Sequence, residues 1–151
     1  MRILDWFDSG EAVTMASLER LQSEVGHVFP KDCADFILKY SGANNPSECS
    51  FTIVEEDGST FVSNFGAVLH VDGDGAESIL GVTRSLSEQH LRNVVAIVDT
   101  GFGDYVCLHF SEAGDSLVVY YSHERPIESA LLPLAPTFTG FLDLLEVPAD
   151  E

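Results

Sequence analysis

The residues best placed by type to do chemistry are His123 and Glu124, with Asp99 and Asp104 as candidate companions. An imidazole and three carboxylates could shuttle protons, or offer nitrogen and oxygen ligands to zinc or manganese. The spacing argues against both uses. No second histidine stands at ligand spacing, and the chain has neither HExxH nor a nucleophile elbow. The expectation is therefore that His123 and Glu124 satisfy backbone groups where a strand exits into a proline-containing turn, with no catalytic residue and no metal.

Other motifs fail on similar grounds. Asp72-Gly73-Asp74-Gly75-Ala76-Glu77 hints at a calcium loop, but aligning Gly75 with the EF-hand glycine puts Gly81 where a bidentate Glu is required. Gly101-Phe102-Gly103 opens a strand between acids, whereas a phosphate needs a helix N-terminus or a row of free amides. Cys107 and His109 share a strand face, which core packing explains as readily as a dyad. Cys33, Cys49 and Cys107 make an odd count without CxxC spacing, as suits buried thiols in a reducing compartment. His27, His70 and His90 have no companions in the pattern. No cofactor is expected.

Charge is the strongest global signal: 25 acidic against 7 basic residues give a formal net charge of −18. Such a field repels nucleic acid and anionic lipid and attracts cationic surfaces, but it equally serves solubility alone, so charge by itself names no function. Two acidic groups on predicted loops, Glu55, Glu56 and Asp57 at a hairpin tip and Asp72, Asp74 and Glu77 further on, are the candidate partner contacts. Phe102 and Tyr105 could add an aromatic anchor.

The elements that must position these residues follow from periodicity. Leu18, Leu21 and Val25 predict a helix over 15–25, capped by Thr14 and stopped by Gly26. A second helix opens at Pro30, buries Cys33, Phe36, Ile37 and Tyr40, and ends at Ser41-Gly42. Residues 43–48 read as a loop. Beyond them the period becomes two: Phe51 and Ile53 share one face, Phe61, Ser63 and Phe65 another, with Asp57-Gly58 turning the hairpin. Val68–Val71 could be a short strand, and 76–92 is partly helical. Strands are predicted at Val94–Asp99, Asp104–Phe110 and Leu117–Ser122, whose short connections force antiparallel pairing. Arg125–Pro136, with three prolines, is expected to be irregular, and Phe138, Phe141, Leu142 and Leu145 mark a last helix over 137–145.

The order describes one α+β domain: a central antiparallel sheet, two N-terminal helices and a C-terminal helix. Its core is expected over about 14–146, with 1–13 an N-terminal extension and 147–151 a frayed tail. No apolar run approaches the roughly 20 residues that span a bilayer, and Asp5 stands where a signal peptide would be apolar, so the expected location is the cytoplasm.

These blocks together resemble the SUKH superfamily: Leu18-Glu19-Arg20-Leu21 with Val25-Gly26, Phe29-Pro30-Lys31-Asp32, then Val95-Ala96-Ile97, Asp99, Gly101, Gly103-Asp104, Val106-Cys107-Leu108, Tyr120-Tyr121-Ser122-His123-Glu124 and Phe141-Leu142. Tyr121-Ser122 stands where Trp-Asp is common in relatives. The resemblance implies binding without catalysis, with Asp99, Gly103, Asp104, His123 and Glu124 as signature positions of structural or partner-contacting role. It implies an immunity protein that neutralises a polymorphic toxin, nuclease domains, which are basic, being frequent targets; a monomer or weak dimer is expected. The alternative is an interaction scaffold of the kind found among eukaryotic relatives.

Overall fold

The computed structural model describes residues 13–44 and 49–146. The expected extension before Val13, part of the 43–48 loop and the tail at 147–151 lie outside the described residues.

Helix α1 (Met15–Val25) begins where Thr14 accepts a bond from the Ser17 amide, and ends at Gly26 with φ of 80°. Its apolar stripe buries Leu18 and Leu21. Helix α2 (Lys31–Tyr40) follows Pro30 and buries Cys33, Phe36 and Ile37, while Tyr40 stays half-exposed. Asp32 ties this helix to the far end of the chain: its Oδ2 accepts bonds from the Thr139 amide and hydroxyl at 2.8 and 2.9 Å.

The hairpin of β1 (Ser50–Val54) and β2 (Thr60–Asn64) forms a two-stranded sheet of its own. Phe51, Ile53, Ser63 and Phe65 point inward as the alternation predicts, and Val54 and Val62 point to solvent. A second sheet holds β3 (Ala67–Val68), β4 (Val94–Asp99), β5 (Tyr105–Phe110), β6 (Ser116–Tyr121) and β7 (Leu131–Ala135), antiparallel throughout and in sequence order. The expected α+β domain with a central antiparallel sheet is thus present, the five-stranded sheet being the central one and the hairpin a second, smaller sheet. Helix α3 (Ile79–Glu88) packs on β4, and α4 (Phe138–Asp143) closes the core with Phe138, Phe141 and Leu142.

One expectation is overturned. Arg125–Pro136 is not irregular: it holds a 3₁₀ turn (Ile127–Ser129) and then β7. Proline breaks central strands because it cannot donate to the ladder, but β7 is at the sheet edge, and Pro133 sits beside the register shift between Val118 and Val119. The alternating leucines 132 and 134 are what the proline count obscured.

Helix α3 starts at Ser78, whose Oγ accepts from the Gly81 amide at 2.9 Å and donates to the Gly75 carbonyl at 2.8 Å. A Cβ on Gly81 would lie 1.9 Å from that carbonyl oxygen. Glycine here lets the acidic loop 72–77 lie directly on the first helical turn.

Candidate functional site

The turn between β4 and β5 and the exit from β6 meet at one carboxylate. Asp104 Oδ1 accepts from the His123 backbone N–H at 2.9 Å and lies 2.6 Å from His123 Nδ1. Its Oδ2 accepts from the Tyr120 hydroxyl at 2.6 Å, and that hydroxyl is 3.1 Å from Ser63 Oγ on the hairpin. Burial, then the adjacent Asp104 carboxylate, pushes the Tyr120 hydroxyl well above its ordinary pKa. It stays protonated, as its donor role requires.

The surrounding backbone is arranged for this cluster. Asp99 Oδ1 accepts from the Gly101 amide at 2.7 Å, and Thr100 Oγ1 donates to the Asp104 carbonyl at 2.8 Å, closing the turn. Gly103 has φ of 84°, and a Cβ there would sit 3.2 Å from His123 Nδ1. Both the left-handed backbone and the imidazole stacked against it call for glycine.

The structure therefore brings Gly103, Asp104 and His123 into contact, puts Asp99 in the same turn, and leaves Glu124 exposed beside them. The expectation that His123 satisfies backbone groups is corrected in its partner: the ring bonds the Asp104 carboxylate, and it is the His123 backbone that needs satisfying. With both oxygens of Asp104 and Nδ1 of His123 occupied, the cluster acts chemically as a strut between turn, strand exit and hairpin. Among the described residues, no group of three or more His, Cys, Asp or Glu is arranged to hold a metal ion. Cys107 is fully buried, which pushes its thiol well up and keeps it protonated.

Two open grooves flank the strut, each of about 560 Å³. The first runs between β2 and the Phe102–His123 side, with Phe61, Ser63 and Tyr120 among its lining and Glu55, Glu124 and Arg125 beside them. The second is lined by Asp74, Val82, Gln89, Tyr105 and Tyr121. His123 borders both, so Glu55 from one acidic loop group and Asp74 from the other, unrelated in sequence, line grooves that share this residue.

The acidic candidates differ in availability. Glu56, Asp57, Asp72, Asp74 and Glu77 are exposed. Glu55 is partly covered and paired with the Arg125 guanidinium. The Ser59 hydroxyl and then Arg125 hold its carboxyl below the usual range, and Ser59 does the same for Asp57. Of the two candidate aromatics, Phe102 is 68% exposed, whereas Tyr105 is half-buried and stacked on Tyr121. His27, without a companion in the sequence pattern, stacks on Phe110 at 4.2 Å.

Sequence reasoning missed Ser63, Tyr120 and Arg125 as members of the site. Tyr120 lies in the signature block and Arg125 directly after it, but Ser63 and Glu55, which they contact, lie 57 and 70 residues away, a distance no local pattern spans.

The protein-family model described as SMI1 / KNR4 family (SUKH-1) matches residues 12–144, and the chain belongs to that family. It is not a known enzyme family, and it includes toxin-immunity proteins. No curated protein matches the chain. No helix among the described residues is long and apolar enough to cross a membrane.

Proposed function

We propose that this SUKH-1 family member is a non-enzymatic immunity protein of the cytoplasm that binds and neutralises a basic partner, a toxin C-terminal domain of nuclease type. The observation that carries the reading is the pair of grooves: Glu55 and Asp74, one from each acidic loop group, and the exposed Phe102 line grooves that share His123, on a chain of net charge −18. A nuclease presents a basic cleft shaped for phosphates, and carboxylates can occupy it as mimics. The Asp104–Tyr120–Ser63 chain ties the hairpin to the turn that carries Phe102, and a recognition surface binds better when held in place beforehand.

Co-expression with the C-terminal domain encoded beside this gene tests the proposal. Wild-type protein should protect the cell. Replacing Asp72, Asp74 and Glu77 with Lys, or Glu56 and Glu124 with Lys, should abolish protection in at least one case without unfolding the domain. Association should also slow as salt rises, because the Debye length falls from about 10 Å at 0.1 M to about 3 Å at 1 M. Protection that survives both reversals defeats the acidic-surface mechanism. If no neighbouring product is toxic, the interaction-scaffold reading replaces it.

A further inference from the structure

The hairpin carries an open strand edge along the first groove. In the register Ser50↔Asn64 to Val54↔Thr60, bonded and non-bonded pairs alternate. The Phe65 amide bonds the Cys49 carbonyl at 2.9 Å and the Glu55 amide bonds the Ser59 carbonyl at 2.8 Å. Bonded pairs are therefore 49/65, 51/63, 53/61 and 55/59. The N–H and C=O groups of Ser50, Thr52 and Val54 must point away from β2, and those of Thr60, Val62 and Asn64 away from β1.

Ser50 shows this directly. Its outward N–H and C=O bond the Glu146 carbonyl and amide at 2.9 and 2.8 Å, which covers the start of the β1 edge. The β2 edge has no such cover: among the described residues, β2 pairs with β1 alone. Proteins blunt exposed edges with proline, lysine or bulges, and Thr60-Phe61-Val62-Ser63-Asn64 contains none of these. Val62 is 65% exposed and Val54, its diagonal neighbour on the solvent face, 57%. Phe61 to Asn64 line the groove, and Phe102, Asp104 and Glu124 line it with them.

We infer that the partner is held by strand addition: an extended, basic segment of its chain pairs with β2 through the outward groups of Thr60, Val62 and Asn64, with its cationic side chains toward the exposed Glu124. The inference rests on the binding reading above and specifies how binding occurs. Charge selects the occupant. Arg125 is committed to Glu55, so Asp104 and Glu124 leave the groove net negative, and the chain's charge of −18 opposes pairing β2 with a second copy of itself. Main-chain bonds supply affinity in such complexes, and alternate side chains supply specificity.

The test needs no knowledge of the toxin. The probe is a set of labelled eight-residue peptides alternating Lys or Arg with Val or Thr, titrated at low ionic strength against the full chain. At least one should bind with Kd below about 100 μM, and Val62→Pro should weaken it by at least about 10-fold, because proline deletes the outward N–H. Val62→Thr, which keeps that N–H, should bind within about 3-fold of wild type. Should Val62→Pro fail to fold, N-methylation of alternate amides in the peptide replaces it: methylation on one edge should abolish binding and on the other should not. Equal effects from Pro and Thr, or from both methylation patterns, overturn the inference. So does absence of binding at about 1 mM, or a dimer of this chain that Val62→Pro dissolves. Failure of co-expression protection with peptide binding intact would sink the immunity reading while leaving the strand edge standing.

Discussion

Replacing Asp104 with Ala should destabilise the domain more than any change at His123. The carboxylate side chain is only 16% exposed and receives the Tyr120 hydroxyl, the His123 N–H and the His123 ring. Hydrogen bonds to a charged acceptor contribute about 1.5–3 kcal/mol each when sheltered, and exposed ones far less. The imidazole is 46% exposed, so its bond counts little, and Tyr120 keeps Ser63 as a second partner. The sum for Asp104→Ala is then about 2–4 kcal/mol, or a fall in Tm of roughly 5–15 °C for a chain of this length. His123→Ala keeps the backbone bond and should cost below about 1 kcal/mol. Urea denaturation of Asp104→Ala, Tyr120→Phe and the double mutant should give a coupling of about 1–2 kcal/mol. A loss below about 0.5 kcal/mol for Asp104→Ala, or a larger loss for His123→Ala, would refute the strut.

Gly81→Ala should be the costliest glycine change, above about 3 kcal/mol, because its Cβ meets backbone that cannot move aside; Gly58→Ala, with open space around it, should cost about 1 kcal/mol by φ strain alone, and thermal melts rank the two. Glu55 has a folded pKa below its unfolded value, so the stability it contributes is full above the usual carboxylate pKa and is lost as pH falls through the lowered one. In Ser59→Ala, NMR titration should show the Glu55 midpoint moving up toward the ordinary value; an unmoved midpoint contradicts the assignment of Ser59 as the leading cause. Cys33, Cys49 and Cys107 are buried, and burial raises the Cys33 and Cys107 thiols. Ellman's reagent at pH 8 should therefore find no fast-reacting thiol among them until urea unfolds the chain.

The sequence by itself determined the local elements. Thr14 and Gly26 bound α1 where periodicity places it, and Phe51, Ile53, Ser63 and Phe65 face inward as a period of two requires, because capping and alternation are set by residues a few positions apart. The signature block around Asp104 and His123 was legible too, though only as residue types in order. Tertiary structure decided the rest. Whether Pro133 breaks a strand depends on whether that strand lies at an edge, and the edge exists only once β6 has found β7. Glu55 is an acid on a turn in the sequence; in the fold, Arg125 claims it, and its availability to a partner changes. That the outer edge of β2 pairs with no strand among the described residues is likewise invisible in Thr60–Asn64, since pairing is a relation to other segments, which the chain acquires only by folding.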